Sequence, residues 1–300
     1  DLATRYSHPQ TLVELLQQSV GEEQIEAFLR ADNEIAATCL QVNTLLSDAQ
    51  EAEQALTQLG IAFEKHPWLD GCYLVRGTGN LAQLELFSSG KVYVQDPSAR
   101  LAAMAAGAKP GMRVLDCCAA PGGKSFALAI DMGDRGDILS CDVHPHKLKL
   151  IEKGAARLGL KSIRTALADG RERHEAWIVQ ADLVGADGPC SGLGIIRKKP
   201  DIRYKNPKEL AKLPREQRAI LENAASYVRP GGTLLYSTCT ILPEENEQVT
   251  DGFLKAHDEF TYEAFSLPNG VSAPGHLTLW PQRDNTDGFY LSRMRRKTHD

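Results

Sequence analysis

Cysteines are the residues of this chain whose type and position most suggest chemistry. The 300 residues contain seven, an odd number without a CxxC pair, so the sequence indicates neither a disulfide framework nor a zinc knuckle, and the thiols are predicted to be reduced. Cys117 and Cys118 precede a glycine-rich turn, Cys190 follows a proline, and Cys239 follows a Ser-Thr pair. A cysteine is most often a small buried apolar residue, so position must identify a reactive one.

Carboxylates form a second set, at the ends of predicted strands. Alternating helices and strands from residue 98 onward are typical of a mainly parallel sheet covered by helices on both faces, whose ligands bind at the carboxyl ends of the strands. The first strand ends at Asp116, before a Pro121-Gly122-Gly123 turn, and later strands end at Asp142, Asp169 and Asp187. A carboxylate at Asp142 can accept both hydroxyls of a ribose. Together the four carboxylates indicate a nucleoside pocket.

The turn itself restricts which nucleoside could bind. It matches neither a phosphate loop nor the dinucleotide pattern GxGxxG. A nucleoside site without a phosphate loop favours S-adenosylmethionine, whose sulfonium and amino acid replace the pyrophosphate of a dinucleotide. A dehydrogenase is disfavoured for the same reason.

Periodicity and turn signals predict two parts of the chain that differ in kind. Helical spacing covers residues 8–30, with an interruption at Gly21. The small part continues as a strand at 35–42, a helix from the Ser47-Asp48 cap to 59, strands at 61–63 and 72–75, a helix at 80–87 and a strand at 91–94. The larger part has predicted helices at 99–106, from 124, 146–158, 215–228 and 244–256, and strands at 113–116, 138–142, 163–167, 181–187, 232–236 and 288–292. We therefore predict a small α+β module of ferredoxin or RRM type with leading helices at 1–95, which could recognise RNA, and a doubly wound α/β domain at 96–300.

Composition and charge exclude several classes of protein. A chain that is 42% hydrophobic and 24% charged is neither disordered nor fibrous. No stretch approaches the roughly 18 apolar residues of a membrane span, and the first residues are not a secretory leader, so we expect a soluble, cytoplasmic protein without membrane contact. The missing initiator Met suggests a processed chain or a fragment. No histidine spacing suggests a metal site, and we expect a monomer.

Charge is distributed unevenly along the chain. Residues 1–95 hold 5 Lys and Arg against 13 Asp and Glu, whereas the remainder holds 29 against 26. Residues 197–218 alone carry nine basic side chains and three acidic ones. Such a run is either a solvated face or a surface that attracts a polyanion, and its position directly after Cys190 favours contacts from Lys198, Lys199 and Arg203 to RNA phosphates.

Several motifs together resemble one known family. Cys118 to Lys124, Asp187 to Gly192 and Tyr236 to Thr240 follow one another in the order seen in the Nop/Sun family of RNA cytosine-5 methyltransferases. Gln95 to Ser98, Lys199 to Arg203, and Pro243 to Asn246 fit the same pattern, and the match spans about residues 92–294. Residues 2–9 further resemble the bacterial Sun-type members, in which a NusB-like RNA-binding domain comes first. This chain lacks that domain, as a fragment would.

The resemblance implies a fold, an activity and site residues. Residues 96–300 would be an S-adenosylmethionine-dependent methyltransferase domain that methylates carbon 5 of a cytosine in RNA, with small-subunit (16S) ribosomal RNA as the expected substrate. Cys239 would be the nucleophile, and Cys190 would assist the later elimination. The cofactor would be bound by Cys118, Ala119, Ala120, Pro121, Gly122, Gly123, Lys124, Asp142, Asp169 and Asp187. Gly188 departs from the family, which often has Ala or Pro there.

The chemistry independently requires these types of residue. Carbon 5 of cytosine is too weak a nucleophile to attack a methyl sulfonium until a thiolate adds to carbon 6, and a carboxylic acid such as Asp187 would assist by protonating or hydrogen-bonding N3. From the residues alone either Cys190 or Cys239 could attack, and the family favours Cys239. Transfer RNA is an alternative substrate. A non-catalytic RNA-binding ribosome-assembly factor is a rival that has no evident need for both cysteines.

Overall fold

Three short helices begin the chain and precede the first sheet. The structure is a computed structural model that describes residues 1–298. The helices are α1 (Leu2–Tyr6), α2 (Gln10–Val20) and α3 (Ile25–Asp32). Gly21 ends α2 with φ of +87°, a conformation that glycine adopts without strain, so the predicted interruption is confirmed.

A four-stranded antiparallel sheet with helices on it forms the small module. Its elements follow along the chain as β1 (Thr38–Val42), α4 (Ala49–Gln58), β2 (Phe63–Lys65), β3 (Cys72–Val75), α5 (Glu85–Ser88) and β4 (Val92–Val94), with a 3-10 helix at Leu81–Gln83. The strand order is β2-β3-β1-β4. Asp48 caps α4 by accepting a hydrogen bond from the amide of Glu51, as its position before the helix predicts.

The larger sheet has eight strands, of which five are parallel. The elements are α6 (Pro97–Ala106), β5 (Arg113–Asp116), α7 (Gly123–Asp131), β6 (Asp137–Asp142), α8 (Pro145–Arg157), β7 (Ile163–Leu167), β8 (Ala181–Ala186), α9 (Pro207–Leu210), α10 (Leu213–Tyr227), β9 (Val228–Thr238), α11 (Glu247–Ala256), β10 (Phe260–Tyr262), β11 (Phe265–Ser266), β12 (Ser272–Ala273), β13 (His276–Leu279), α12 (Pro281–Asp284) and β14 (Phe289–Arg296). Short 3-10 helices lie at Glu175–Trp177 and Pro200–Tyr204.

The parallel part of the larger sheet has the strand order β7-β6-β5-β8-β9, and β14 pairs antiparallel with β9. β10 and β13 pair with β14. The predicted α/β fold is confirmed, and the antiparallel strands β10 to β13 are additions that the periodicity of the sequence did not indicate.

Successive residues of the central strands face opposite sides of the sheet. Leu183 of β8 and Leu235 of β9 pack in a core with α7 and α8, whereas Val184 and Leu234 pack in a second core with α10 and α11. This alternation is the side-chain period of a β-strand, and burial of both faces explains why these strands are almost continuously apolar.

The small module contacts the larger domain through polar side chains. Asn43 donates hydrogen bonds to the carbonyl oxygens of Gly90 and Leu158, each at 3.0 Å. The Arg157 guanidinium lies 3.8 Å from the Phe87 ring centroid and donates to the Val92 carbonyl. Any side chain at Gly90 would collide with the Arg157 carbonyl, so the close approach requires glycine.

The leading helices pack against the larger domain. Leu16 and Phe28 are fully buried in a cluster with Leu193, Ile196 and Ile241. The division of the chain at residue 95 remains a prediction, but the apolar side chains of α2 and α3 pack in a cluster with side chains of the larger domain. Within residues 1–298, no helix combines the length and the apolar character needed to cross a bilayer.

We expect Phe28→Ala to lower the free energy of unfolding by about 3–5 kcal/mol, because it leaves a cavity between α3 and the larger domain. The control is Ile35→Ala, which removes a side chain that is 85% exposed and should leave stability unchanged. Urea denaturation measures both. Equal stability of the two variants would show that α3 does not contribute to the cooperative core.

Candidate active site

A cavity of about 370 Å³ lies at the carboxyl ends of the parallel strands, a volume within the range of small-molecule sites. Five of the predicted cofactor-binding residues line it: Cys118, Ala120, Asp142, Asp169 and Asp187. The sheet thus brings together residues that are up to 69 positions apart in the sequence. This convergence is the consequence expected of parallel strands that end at one edge.

The glycine turn lies between β5 and α7. Gly122 has φ of +109°, and an added Cβ would lie 2.5 Å from Cζ of Phe126, so only glycine fits there. Gly123 begins α7 without a side-chain cap, which leaves the first amide groups of the helix available to an anion. Ala119 is buried, with its amide bonded to the Cys141 carbonyl, and Pro121 is exposed.

The carboxylates have different environments. Asp142 is buried and accepts a hydrogen bond from the His144 amide at 2.9 Å. Asp169 accepts hydrogen bonds from the Arg171 guanidinium, which lowers its pKa to about 2. Asp116 does not line the cavity. It accepts a hydrogen bond from Ser125 Oγ at 2.8 Å, and burial raises its pKa to about 6, so it anchors the first turn of α7.

Asp187 is the centre of a polar cluster beside the cavity. Its carboxylate forms an ion pair with Lys124 and accepts a hydrogen bond from Ser237 Oγ at 3.0 Å. Burial disfavours the Lys124 ammonium, but the Asp187 charge outweighs it and raises the pKa of Lys124. The Lys124 ammonium also lies 5.4 Å from the centroid of the Phe289 ring. Lys124 is therefore held at a fixed position as a cation.

Cys190 and Cys239 face each other at the same edge of the sheet. Their sulfur atoms are 2.9 Å apart, and both are free thiols. A hydrogen bond from Cys190 lowers the pKa of Cys239, and the same hydrogen bond, together with burial, raises the pKa of Cys190. Cys239 is thereby favoured as the thiolate, and Cys190 is favoured in its protonated form. By contrast, burial raises the pKa of Cys118.

Buried polar side chains hold the two cysteine loops. The Glu245 carboxylate accepts hydrogen bonds from the Ser191 amide and from the Gln217 side chain, at 2.9 and 2.7 Å. Asn246 accepts a hydrogen bond from Thr238 Oγ1 and donates to the Thr240 carbonyl. The Pro243 to Asn246 motif of the sequence contains Glu245 and Asn246. The spacing of the motif did not reveal which residues these two side chains contact.

Gln95 presents an amide without a partner at the glycine turn. Its side chain is 6% exposed, and neither its oxygen nor its nitrogen has a hydrogen-bond partner within the described residues. The nitrogen would lie 3.5 Å from a Cβ added to Gly123. A buried, unpaired amide is costly unless a ligand satisfies it. The sequence did not identify Gln95 as a site residue.

Two of the three predicted RNA-binding residues are engaged within the chain. Lys198 lies between Asp96 and Asp287, at 2.5 and 2.6 Å. Arg203 donates hydrogen bonds to the Asp32 carbonyl and to Asn33 Oδ1. Two carboxylates balance the Lys198 charge, and Arg203 attaches the leading helices. Contacts of both side chains with RNA phosphates remain a prediction.

Lys199 is exposed. Its contact with RNA remains a prediction. At Gly188, an added Cβ would lie 3.2 Å from Cδ1 of Ile220, which lines the cavity, so the departure from the family keeps this wall uncrowded. Among residues 1–298, no cluster of three or more His, Cys, Asp or Glu side chains could hold a metal ion.

Comparison with known protein families identifies methyltransferases as the relatives of this chain. A family model described as 16S rRNA methyltransferase RsmB/F matches residues 103–295, and one described as an RsmF/B-like ferredoxin-like domain matches residues 8–80. The probable ribosomal RNA small subunit methyltransferase B of Bacillus subtilis (strain 168) is 39% identical over 305 residues, covering 99% of this chain and 68% of that protein. The ribosomal RNA small subunit methyltransferase B of Vibrio cholerae is 33% identical over 292 residues, covering 97% of this chain and 65% of that protein.

Solved structures agree with this comparison. The crystal structure of PH0851 has a TM-score of 0.90 and 31% identity, and the alignment covers 98% of this chain and 67% of that one. NSun6 from Pyrococcus horikoshii with SFG has a TM-score of 0.86 and covers 97% of this chain and 99% of that one, but its 21% identity shows likeness of fold alone.

Fold and site therefore define a methyltransferase of the S-adenosylmethionine-dependent fold, preceded by a ferredoxin-like domain. The chain belongs to the 16S rRNA methyltransferase RsmB/F family, which is a family of RNA methyltransferases. It spans about two thirds of the length of the relatives named above. The family resemblance predicted from the motifs is confirmed.

We expect Lys198→Met to lower the free energy of unfolding at pH 8 by about 1–3 kcal/mol, because Asp96 loses its ion pair and Asp287 keeps the one with Arg197. Burial and the Asp96 charge already raise the pKa of Asp287 to about 7, far above its value in the unfolded chain. Loss of the ammonium raises it further. The folded variant therefore binds a proton that the unfolded chain does not, and the deficit should shrink as the pH falls from 8 to 5.

Urea denaturation at both pH values measures this effect. The matched control is Lys199→Met, which replaces an exposed neighbour and should change stability by less than about 0.5 kcal/mol. An equal loss of stability in both variants, or a loss in Lys198→Met that does not change with pH, would contradict the bridge from Lys198 to Asp96 and Asp287.

Proposed function

We propose that this chain transfers the methyl group of S-adenosylmethionine to carbon 5 of a cytosine in small-subunit ribosomal RNA, through a covalent bond to Cys239. The observation that carries the proposal is the pair of sulfur atoms 2.9 Å apart, next to the Lys124 and Asp187 ion pair and a cavity of nucleoside size. Membership of the 16S rRNA methyltransferase RsmB/F family supports the choice of RNA as substrate.

The residues around the cavity fit the proposed cofactor. Asp142 would offer a buried carboxylate to the ribose hydroxyls, and Asp169 offers a second carboxylate to the same cavity. The amides at the start of α7 and the unpaired Gln95 amide suit the carboxylate of the methionine part. When bound, S-adenosylmethionine supplies an electrophilic methyl group on a sulfonium.

Cys239 activates the base. Its thiolate, which the hydrogen bond from Cys190 favours, forms a bond to carbon 6 of cytosine, and the electron pair of the 5,6 double bond moves towards N3. The Lys124 and Asp187 pair carries a proton that N3 can accept or share. Carbon 5 then has the character of an enamine carbon. Bound S-adenosylmethionine would supply the methyl group to this carbon and would keep the electron pair of the broken carbon–sulfur bond.

Cys190 completes the cycle. After methyl transfer, carbon 5 carries both a hydrogen and a methyl group, so a base must take the proton before the bond between carbon 6 and Cys239 can break. Cys190 first loses its own proton to solvent water. Because the pKa of Cys190 is raised well above that of an ordinary thiol, the resulting thiolate is a strong base, and it takes the proton from carbon 5. Elimination restores the aromatic ring and releases Cys239 as a thiolate.

We expect Asp142→Ala to weaken the binding of S-adenosylmethionine by about 1–3 kcal/mol, because charge-assisted hydrogen bonds to the ribose are lost. Calorimetry on the folded variant measures this change. The matched control is Asp137→Ala, at the other end of the same strand, where the carboxylate pairs with Arg164 on the surface. Unchanged affinity in Asp142→Ala would reject the ribose contact.

The two cysteines should have opposite effects in an adduct experiment. With S-adenosylmethionine and substrate RNA, Cys239→Ala should neither transfer a methyl group nor form a protein–RNA adduct. Cys190→Ala should transfer the methyl group and then accumulate an adduct linked through Cys239, because elimination lacks its base. Denaturing gels detect the adduct, and cofactor binding should persist in both variants.

The same experiment tests the substrate and the base. Wild-type chain with labelled S-adenosylmethionine is incubated with unmodified small-subunit ribosomal RNA and, separately, with transfer RNA, and the labelled nucleoside is then identified. Label in 5-methylcytosine of the ribosomal RNA is expected. Label found only in transfer RNA would make transfer RNA the substrate. An adduct in Cys239→Ala alone would exchange the roles of the two cysteines. Methylation by both variants without any adduct would reject covalent catalysis.

A further inference from the structure

Tyr204 is the one aromatic residue among the large hydrophobic side chains that are exposed within residues 1–298, with 74% of its surface accessible. It is the last residue of the 3-10 helix Pro200–Tyr204, in the basic segment that follows Cys190. A single exposed apolar side chain needs no explanation by itself. What distinguishes Tyr204 is how firmly the residues beside it are held.

Both neighbours of Tyr204 are attached to the protein. Arg203 is bonded to the Asp32 carbonyl and to Asn33, at 3.2 and 2.6 Å. Lys205 donates a hydrogen bond to the Ser191 carbonyl at 2.7 Å. One residue earlier than Arg203, the Ile202 side chain is buried against Gly192. The backbone is therefore fixed on both sides of an exposed ring, and little conformational freedom would be lost when the ring binds a ligand.

These attachments relate Tyr204 to the reacting atoms. Ser191 directly follows Cys190 in the sequence, and Cys190 lies 2.9 Å from the sulfur of Cys239. The Lys205 bond therefore connects the position after Tyr204 to the loop that carries a catalytic thiol. Lys199 and Lys208 are exposed in the same segment and favour a negatively charged partner.

We infer that the Tyr204 ring is a stacking platform for an unpaired base next to the target cytosine of an RNA substrate. The inference rests on the proposed function and adds the recognition of a flanking nucleotide to it. A target base must leave its stack to reach a cysteine, which leaves the neighbouring base without a stacking partner. Aromatic side chains bind such bases in single-stranded RNA because every base has a π face.

Binding of one defined RNA tests the inference. The probe is a fluorescein-labelled twelve-nucleotide RNA of uridines with one central cytidine, and fluorescence anisotropy measures its affinity. Tyr204→Ala should weaken binding about tenfold, whereas Tyr204→Phe, which keeps the ring, should bind within about twofold of wild type. The control Leu150→Ala removes another exposed side chain, 51% accessible and on α8, and should leave binding unchanged. The salt dependence and the affinity for S-adenosylmethionine should be unaltered in Tyr204→Ala, because no cation and no cavity residue has changed.

Abasic RNAs show which nucleotide is bound. Replacing one uridine beside the cytidine with an abasic ribose should weaken wild-type binding about tenfold at one position and have no effect on Tyr204→Ala there. The stacking inference would be overturned if wild type and Tyr204→Ala bound RNA equally, or if Tyr204→Phe and Tyr204→Ala lost affinity equally. In either case, methyl transfer by the wild type would leave the proposed function intact. A wild-type chain that neither binds nor methylates RNA would overturn both.

Discussion

The ammonium of one lysine, Lys198, holds together three segments that are distant in the sequence. Lys198 bridges Asp96, which caps α6, and Asp287, which lies just before β14. The two carboxylates are largely buried, so their charges are costly without a cation beside them, and Arg197 also pairs with Asp287 at 3.0 Å. Residues close to them in the sequence lie near the site: Gln95 lies at the glycine turn, and the Phe289 ring lies 5.4 Å from the Lys124 ammonium. The geometry of the candidate active site therefore depends on an ion pair that does not itself touch the cavity.

The reactive thiols and the residues that position them are different sets of side chains. Cys190 and Cys239 contact each other, while Glu245 and Asn246 bind the backbone and side chains on either side of them. Because the loops are held by hydrogen bonds to neighbouring residues, the sulfur atoms themselves are free to change protonation state and partner. A rigid frame around two adaptable atoms suits a reaction in which one sulfur forms a bond and later releases it.

Much of the fold and part of the site could be predicted from the sequence, and there is a physical reason why the rest could not. Strand ends are local features, so Asp142, Asp169 and Asp187 could be assigned to one edge once the alternation of helices and strands was recognised. The partner of a charged side chain is a tertiary property. Lys198 and Arg203 belong to a strongly basic run, yet buried carboxylates and carbonyls from remote segments bind them, and no spacing in the sequence reveals that. The unpaired Gln95 amide and the antiparallel strands before β14 could not be predicted for the same reason.

The packing of the leading helices has a consequence for how the chain is made. The apolar faces of α2 and α3 are covered by side chains such as Leu193 and Ile241, the first of which is synthesised about 160 residues after Phe28. At the usual rate of translation this interval is roughly 10–30 s. During that time the side chains that cover Leu16 and Phe28 in the folded chain have not been synthesised. The nascent chain therefore exposes an apolar segment to the ribosome surface and to chaperones until the second half emerges.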